Sequence, residues 1–236
     1  MSDIASNLFK VQETIRKAAL KVGREPKDIK LVAVTKTVDP SKIKEAIKAG
    51  VTIVGENYVQ EAKEKIAQID HDIQWHMIGH LQTNKAKHAV KLFDMIQSVD
   101  SLRLAEELNK QAKRLGTVVK ILIQVNVSGE ESKFGVSPQG VHSLISQISN
   151  KMENLSIQGL MTMPPYFNDP ERTRPYFRAL RELRDRIVSS EIRNVTLGEL
   201  SMGISNDYEM AIEEGATIVR IGTAIFGERK DKACLL

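Results

Sequence analysis

The sequence predicts a single (β/α)8 TIM barrel with an extra N-terminal helix. Three observations lead to this fold class: eight apolar, β-branched runs, helix signals between them, and a length of 236 residues, which is usual for one such barrel. A hydrophobic content of 42% is enough to bury a substantial core. We therefore expect one domain over residues 1–236.

The N-terminal helix is predicted by apolar residues at steps of four and three, which share one helical face. They are Ile4, Leu8, Val11, Ile15, Ala18 and Val22. The eight apolar runs then begin near Lys30, Thr52, Ile73, Met95, Val118, Leu155, Val195 and Thr217. Several of these runs are continuously apolar, which is typical of strands covered on both faces. Eight is the number of strands in a closed parallel barrel.

Helix signals lie between these runs. Asp39 followed by Pro40 is typical of a helix start, and Asn57 with Gln60 resembles a capping box. Gly116 stands where a helix should end. An open sheet would also accommodate alternating strands and helices, but it would usually carry the nucleotide fingerprint G-x-G-x-x-G, which the sequence lacks. We therefore prefer the barrel.

Composition argues against several classes of function. The net charge of +4 comes from 34 basic and 30 acidic residues that are interspersed, unlike the one-sided basic stripe of nucleic-acid-binding proteins. No apolar run reaches the length of a membrane span, and the charged N-terminal helix does not resemble a secretion signal. The single cysteine, Cys234, cannot form an internal disulfide. We expect a cytoplasmic protein that binds neither nucleic acid nor membranes.

Lys36 ends the apolar run at residues 31–35, where a buried strand should open onto the mouth of the barrel. If side chains alternate along this strand, Lys36 shares a face with Val32 and Val34 and points into that mouth. Partial desolvation there would lower the pKa of its amine and favour capture of an aldehyde as an imine. A surface lysine that snorkels to water is the common alternative.

Two loops rich in small residues follow the last two strand-like runs. The first extends from Ser201 to Ser205, and the second holds Gly222 and Thr223. Loops at these places in a barrel commonly bind phosphate, through groups such as the Ser201 hydroxyl and the N–H groups around Gly203. The alternative is an ordinary helix start, with Ser205 as its N-cap. A reactive amine facing a phosphate site indicates pyridoxal phosphate.

Arg220 lies near the end of the last apolar run, where a guanidinium needs a partner. A structural salt bridge is the usual explanation; alternatively, Arg220 faces the pyridine nitrogen of pyridoxal phosphate and disfavours its protonation. His76 and His80 are four residues apart, but on a strand and its following loop this spacing does not converge on one metal ion. We expect no metal site.

Five segments, in order, resemble the YggS/PROSC family of pyridoxal phosphate homeostasis proteins. They are AVTK at 33–36, GENYVQE at 55–61, HMIGHLQTNK at 76–85, LSMGISND at 200–207 and VRIGTAIFG at 219–227. The resemblance implies a fold type III barrel similar to the N-terminal domain of alanine racemase, with pyridoxal 5'-phosphate covalently bound to Lys36 as a Schiff base. It also implies that Ser201, Gly222 and Thr223 contact the phosphate, that Arg220 lies beside the ring nitrogen and that Asn57 lies near the cofactor. Two apolar departures from the family pattern, Met77 and Ile204, leave these polar positions intact.

The resemblance predicts a non-catalytic protein of vitamin B6 homeostasis, a monomer or weak dimer that holds the cofactor reversibly and passes it to apoenzymes. The alternative is a pyridoxal-phosphate-dependent amino-acid racemase that uses Lys36 as one base. Racemisation needs a second acid/base, which in racemases is a tyrosine from a separate domain of the partner subunit, and we expect this chain to have no room for that domain. Tyr58 suits packing or cofactor enclosure better than this role. A third possibility is a lysine aldolase without cofactor.

Overall fold

The computed structural model describes residues 4–189, 192 and 195–228. The strands in these residues are β1 (Lys30–Val34), β2 (Ile53–Glu56), β3 (Gln74–Met77), β4 (Met95–Val99), β5 (Val119–Gln124), β6 (Leu155–Met161), β7 (Glu199–Ser201) and β8 (Ile218–Ile221). The helices are α1 (Ile4–Lys21), α2 (Pro40–Lys48), α3 (Val59–Ile66), α4 (Ala86–Leu92), α5 (Leu102–Leu115), α6 (Val141–Lys151), α7 (Arg174–Val188), α8 (Tyr208–Glu213) and α9 (Thr223–Phe226). Short 3-10 helices lie at Pro26–Asp28, Thr83–Lys85 and Pro170–Thr173.

The strands form a closed barrel in which each strand pairs in parallel with its neighbours in sequence. Pairing of β1 with β8, from Lys30 opposite Ile218 to Ala33 opposite Ile221, closes the ring. All carboxyl ends of the strands therefore meet at one end of the barrel, where loops of distant sequence come together. The predicted (β/α)8 barrel is confirmed.

The extra N-terminal helix, α1, is also confirmed, and it packs on α8 and α9. Its predicted apolar face is buried from Ile4 to Ala18, whereas Val22 lies beyond the helix end and is 40% exposed. The side-chain amide of Asn7 donates to the carbonyl of Ile225 in α9 at 3.1 Å. This helix therefore supports the last element of the barrel, next to the loop after β8.

Apolar side chains fill two layers of the structure. Inside the barrel lie Val32, Ile53, Met95, Leu122, Met161 and Ile218. A larger cluster lies between the strands and the surrounding helices. Burial of each such large aliphatic side chain contributes about 1.5–3 kcal/mol, so both layers hold the strand ends in fixed positions.

The predicted start of the seventh strand near Val195 was wrong, because β7 begins at Glu199. Leu197 is buried in the core but has a φ of 41°. This left-handed conformation is incompatible with an extended strand. The apolar run therefore contributes core contacts before the strand itself begins.

The predicted capping box was also wrong. The helix α3 begins at Val59 after Tyr58, which makes no side-chain cap, and the Gln60 side chain donates to Glu64 instead. The Asp39 cap is confirmed, since its carboxylate accepts from the N–H of Ser41 at 2.9 Å. Gly116 is confirmed as a left-handed helix end, with a φ of 64°.

The described helices include none that is both long and apolar enough to cross a bilayer. Cys234 lies outside the described residues.

Candidate functional site

A cavity of about 550 Å³ opens at the carboxyl ends of the strands. Five of the seven residues that the sequence analysis assigned to cofactor binding line it together: Lys36, Asn57, Arg220, Gly222 and Thr223. They come from the ends of β1, β2 and β8, and closure of the barrel makes these strands neighbours. This cavity, hereafter the Lys36 cavity, thus brings together one amine, one guanidinium and one glycine loop.

Lys36 follows the last residue of β1 by two positions. Val32, on the same face of the strand, lies in the barrel interior, and Val34 lines the cavity with Lys36. The predicted alternation is therefore confirmed. The next residue, Thr37, has a φ of 61°, a genuine outlier for a β-branched residue. Such outliers persist only where surrounding contacts impose them.

Those contacts come from a buried cluster of charges, hereafter the Lys65 cluster. The Lys65 ammonium donates to the carbonyl of Thr35 at 2.5 Å and to the carboxylates of Glu56 and Glu61 at 2.7 Å each. The Thr35 hydroxyl donates to Glu56 at 2.6 Å, and the N–H of Thr37 donates to Glu61 at 2.5 Å. Both neighbours of Lys36 are therefore fixed by the same three charged side chains.

Burial dominates the electrostatics of the Lys65 cluster. The side chain of Glu56 is 0% exposed and that of Lys65 is 6% exposed. Burial raises the pKa of Glu56, although hydrogen bonds from Lys65 and Thr35 oppose the shift. This cluster was not predicted from the sequence. The one feature that could have indicated it is the carboxylate of Glu56 at the end of the apolar run 53–56.

Arg220 is 2% exposed and projects from β8 into the barrel beneath the Lys36 cavity. Its guanidinium donates to the hydroxyl of Ser201 at 2.5 Å, to the carbonyl of Thr162 at 2.8 Å and to the sulfur of Met163 at 2.9 Å. Burial lowers the pKa of Arg220 to about 10, so the group stays charged at neutral pH. Among the described residues it forms no salt bridge, and neutral acceptors hold it instead.

The other two predicted residues, Ser201 and Gly203, do not line the Lys36 cavity. The hydroxyl of Ser201 is buried inside the barrel and donates to Gln97 at 2.6 Å. Gly203 has a φ of 91°, and a Cβ atom there would lie 2.6 Å from the Cβ of Ala211 in α8. In this structure Ser201 orients Arg220 and Gly203 permits close packing of α8. Their contacts with phosphate stay predictions.

Ser205 joins the two small-residue loops. Its hydroxyl accepts from the N–H groups of Gly222 at 3.2 Å and Ala224 at 3.3 Å. Sequence reasoning weighed Ser205 as a helix cap, but α8 begins three residues later, at Tyr208. Backbone N–H groups that bind a hydroxyl oxygen here are also suited to phosphate oxygens. These N–H groups thus fit the phosphate of pyridoxal phosphate, while the amine of Lys36 fits its aldehyde and the guanidinium of Arg220 fits its ring nitrogen.

Asn57 is positioned by a close approach of two loops. A Cβ atom on Gly79, in the loop after β3, would lie 2.5 Å from the carbonyl oxygen of Asn57, in the loop after β2. Only glycine permits this contact without displacement of the backbone. Asn57 lines the Lys36 cavity, and the close approach permitted by Gly79 fixes the position of its backbone.

A neighbouring cavity of about 640 Å³ shares Asn57 with the Lys36 cavity and includes Tyr58 and His80. Tyr58 is 64% exposed, and it lines this second cavity rather than the first. The ring of His80 stacks on Phe134 with centroids 3.9 Å apart. Within the described residues, no group of three or more acidic, histidine or cysteine side chains is arranged to hold a metal ion.

The family described as "Alanine racemase, N-terminal domain" matches residues 7–230. A pyridoxal phosphate homeostasis protein from Aquifex aeolicus is 48% identical, over 94% of this chain and 97% of its own length. The chain belongs to the family of pyridoxal phosphate homeostasis proteins. Another relative with this name, from Escherichia coli strain K12, is 39% identical over 97% of this chain and 98% of its own. The resemblance stated from the five segments is confirmed.

Solved structures support the same family. The protein PipY of Synechococcus elongatus without pyridoxal phosphate is 38% identical with a TM-score of 0.81, covering 91% of this chain and 99% of PipY. The structure of PipY with pyridoxal phosphate bound has a TM-score of 0.79 at 36% identity, over the same shares of the two chains. An alanine racemase from Clostridium difficile shares only the fold, at 18% identity and a TM-score of 0.73, covering 98% of this chain and 58% of the racemase.

Proposed function

We propose that this protein binds pyridoxal 5'-phosphate in the Lys36 cavity, holds it as a Schiff base on Lys36 and acts in cytoplasmic vitamin B6 homeostasis without catalytic turnover. The observation that carries the proposal is that Lys36, Arg220 and the Gly222 loop line one cavity. The name of the relatives and the PipY structure with bound pyridoxal phosphate support it.

Each part of the cavity has a separate role in this proposal. When bound, the cofactor supplies an aldehyde that an amine can capture reversibly. The Lys65 cluster fixes the backbone on both sides of Lys36 and so directs its amine into the cavity. Gly222 and Thr223 hold the phosphate, and Asn57 contacts the cofactor from the side of β2. Ser201 orients Arg220, and Gly203 permits close packing of α8.

Arg220 argues for storage of the cofactor rather than for turnover. Its buried positive charge, placed beneath the cavity, disfavours protonation of a pyridine nitrogen nearby and so weakens the stabilisation of carbanions. A racemase also needs a second acid/base that reaches the substrate. Tyr58, which the sequence offers for that role, is largely exposed and lines the neighbouring cavity.

The attachment site is tested by adding pyridoxal phosphate to the purified protein, reducing with borohydride and mapping the labelled peptide. We expect label on Lys36 and loss of the imine absorbance in Lys36→Ala. Lys42→Ala, at an exposed position in α2, is the matched control and should retain both. Retention of the imine band in Lys36→Ala would mean that the attachment site is wrong.

The storage role is tested by two assays on the loaded protein. We expect transfer of the cofactor to an apoenzyme that requires it and no loss of optical activity across a panel of amino acids. Rapid racemisation would contradict the proposal and favour the racemase. Labelling by borohydride only in the presence of a sugar phosphate, without pyridoxal phosphate, would favour the aldolase. Sedimentation at several concentrations checks the expected monomer or weak dimer.

A further inference from the structure

A third cavity lies at the opposite end of the barrel, where the strands begin. It has a volume of about 570 Å³ and is lined by the first residues of several strands, among them Lys30, Gln74 and Glu199. His76 and Lys120, further along β3 and β5, also line it. We call it the amino-terminal cavity. The proposed cofactor function makes no use of it.

A chain of hydrogen bonds inside the barrel determines which nitrogen of His76 carries the proton. Arg220 can only donate, so its bond to Ser201 makes the hydroxyl oxygen an acceptor. The hydroxyl of Ser201 then donates to the amide oxygen of Gln97 at 2.6 Å, and the amide nitrogen of Gln97 lies 2.9 Å from Nδ1 of His76. Because an amide nitrogen donates, Nδ1 accepts.

The His76 ring is neutral, since burial lowers its pKa to about 4. A neutral imidazole that accepts at Nδ1 carries its proton at Nε2. His76 is 2% exposed, and its Nε2 has no hydrogen-bond partner among the described residues. A buried donor without an acceptor loses the hydrogen bond it would make to water and is costly to the folded state. The barrel therefore holds a fixed, buried N–H donor on a residue that lines the amino-terminal cavity.

The charges around this cavity also favour an acceptor. The ammonium of Lys30 is paired with Glu199, and that carboxylate also accepts from Thr217 at 2.6 Å. Lys120 is exposed and forms no salt bridge with any residue that the structure describes. Lys91 adds a further cation to the wall, and Asp94 already accepts from the N–H of Trp75 at 2.7 Å. The cavity wall thus carries more cations than carboxylates, and both carboxylates already accept hydrogen bonds from other groups.

We propose that the amino-terminal cavity binds a small oxyanion, a carboxylate or a phosphate, with Nε2–H of His76 as its deep donor and Lys120 as its cation. The anion oxygen satisfies the buried N–H, and its charge offsets that of Lys120. Because Nε2 is enclosed in the structure, side chains around the cavity must move to admit the oxygen. The chain through Gln97 and Ser201 holds the imidazole in the required orientation.

The proposal is tested on the full chain without cofactor, labelled with ¹⁵N-histidine. Malonate and inorganic phosphate are titrated separately while the ring nitrogens of His76 are followed by NMR. We expect a saturable shift of the Nε2–H signal of His76 with at least one of the two anions. The anion with the lower dissociation constant, measured from this shift, identifies the chemical class. Because no pyridoxal phosphate is added, failure here is independent of failure of the cofactor proposal.

Variants locate the anion. Lys120→Met should weaken binding at His76 by about tenfold or more, whereas Lys113→Met, at an exposed position in α5, should leave the affinity unchanged. His76→Phe should abolish calorimetric binding of malonate, provided that its unfolding transition stays cooperative. Absence of any saturable shift at His76, or equal affinity in the wild type and Lys120→Met, would overturn the proposal. Binding of both anions that leaves the His76 signal unchanged would place them elsewhere and also overturn it.

Discussion

Lys65 and Glu56 form an ion pair of 2.7 Å directly behind the turn that carries Lys36, and both side chains are almost fully removed from water. Buried ion pairs are costly to desolvate, so this one is better explained by the geometry it imposes than by stability alone. Through Thr35 and Glu61 it holds the backbone on either side of Lys36. Lys65 is therefore a positioning residue.

The first prediction concerns Lys65→Met. Removing the ammonium leaves two carboxylates without their cation, so we expect the free energy of unfolding to fall by about 3–5 kcal/mol. We also expect slower borohydride labelling of Lys36 in the protein that remains folded, because the turn loses its anchor. Urea unfolding and labelling kinetics measure the two effects.

Lys63→Met is the control for this prediction, since Lys63 lies on the exposed side of the same helix. It should behave as the wild type in both assays. The double variant Lys65→Met/Glu56→Gln should recover part of the stability but not the labelling rate. Normal labelling of Lys36 in folded Lys65→Met would show that the cluster has no positioning role.

The second prediction is a dependence of stability on pH that arises from His76. Its pKa is lowered by burial from 6.5 to about 4, so between these pH values the native protein binds fewer protons than the unfolded chain. The free energy of unfolding should therefore fall as the pH drops through this window, by about 3 kcal/mol in total. Urea unfolding at a series of pH values measures the loss.

Substitution of the histidine separates this effect from other titrations. His76→Gln should flatten the curve between pH 6.5 and 4, whereas His142→Gln, at an exposed position in α6, should retain the slope of the wild type. An identical slope in His76→Gln would assign the pH dependence to other groups.

The third prediction concerns the contact between Gly79 and Asn57. Gly79→Ala places a methyl group against the Asn57 carbonyl, so the loop after β2 must move. We expect a loss of about 1–3 kcal/mol in the free energy of unfolding, together with weaker binding of pyridoxal phosphate. Gly198→Ala, where a Cβ atom meets nothing within 4 Å, should change neither quantity. Equal stability of the two variants would contradict the contact.

The fourth prediction separates binding of the phosphate from folding. Thr223 is exposed and lines the Lys36 cavity, so Thr223→Val removes a hydroxyl without disturbing the core. Loss of a hydrogen bond to a charged group costs about 1.5–3 kcal/mol, so the dissociation constant for pyridoxal phosphate should rise by about tenfold or more. Equilibrium dialysis measures it. Thr52→Val, at an exposed position just before β2, is the control. An unchanged dissociation constant in Thr223→Val would mean that Thr223 is not part of the phosphate site.

The fold and the placement of Lys36 could be predicted because both follow from local periodicity. Alternation along β1 puts Val32 and Val34 on one face, and Lys36, two residues beyond the strand, lines the same cavity as Val34. The count of strand-like runs predicts the closed barrel. The segment before β7 was harder, because Leu197 takes a left-handed conformation and delays the start of the strand to Glu199. No periodic pattern signals such a bend.

Contacts between distant segments could not be predicted from spacing. Glu56 and Lys65 are nine residues apart, a spacing that matches no repeat of a helix or a strand, so their pairing depends on how α3 packs against the barrel. The orientation of Ser201 toward Gln97 depends on the register of β7 and on a partner in β4. Such pairings exist only in the assembled tertiary structure.

Closure of the ring by β1 and β8 has a consequence for biosynthesis. The first strand leaves the ribosome early, but Lys36, which follows it, meets Arg220 and the Gly222 loop only after the eighth strand has been made and paired. A nascent or truncated chain that ends before this strand offers an amine without the rest of the pocket. On the proposed function, capture of pyridoxal phosphate therefore requires that the eighth strand has been made, and chains that end before it should not sequester the cofactor.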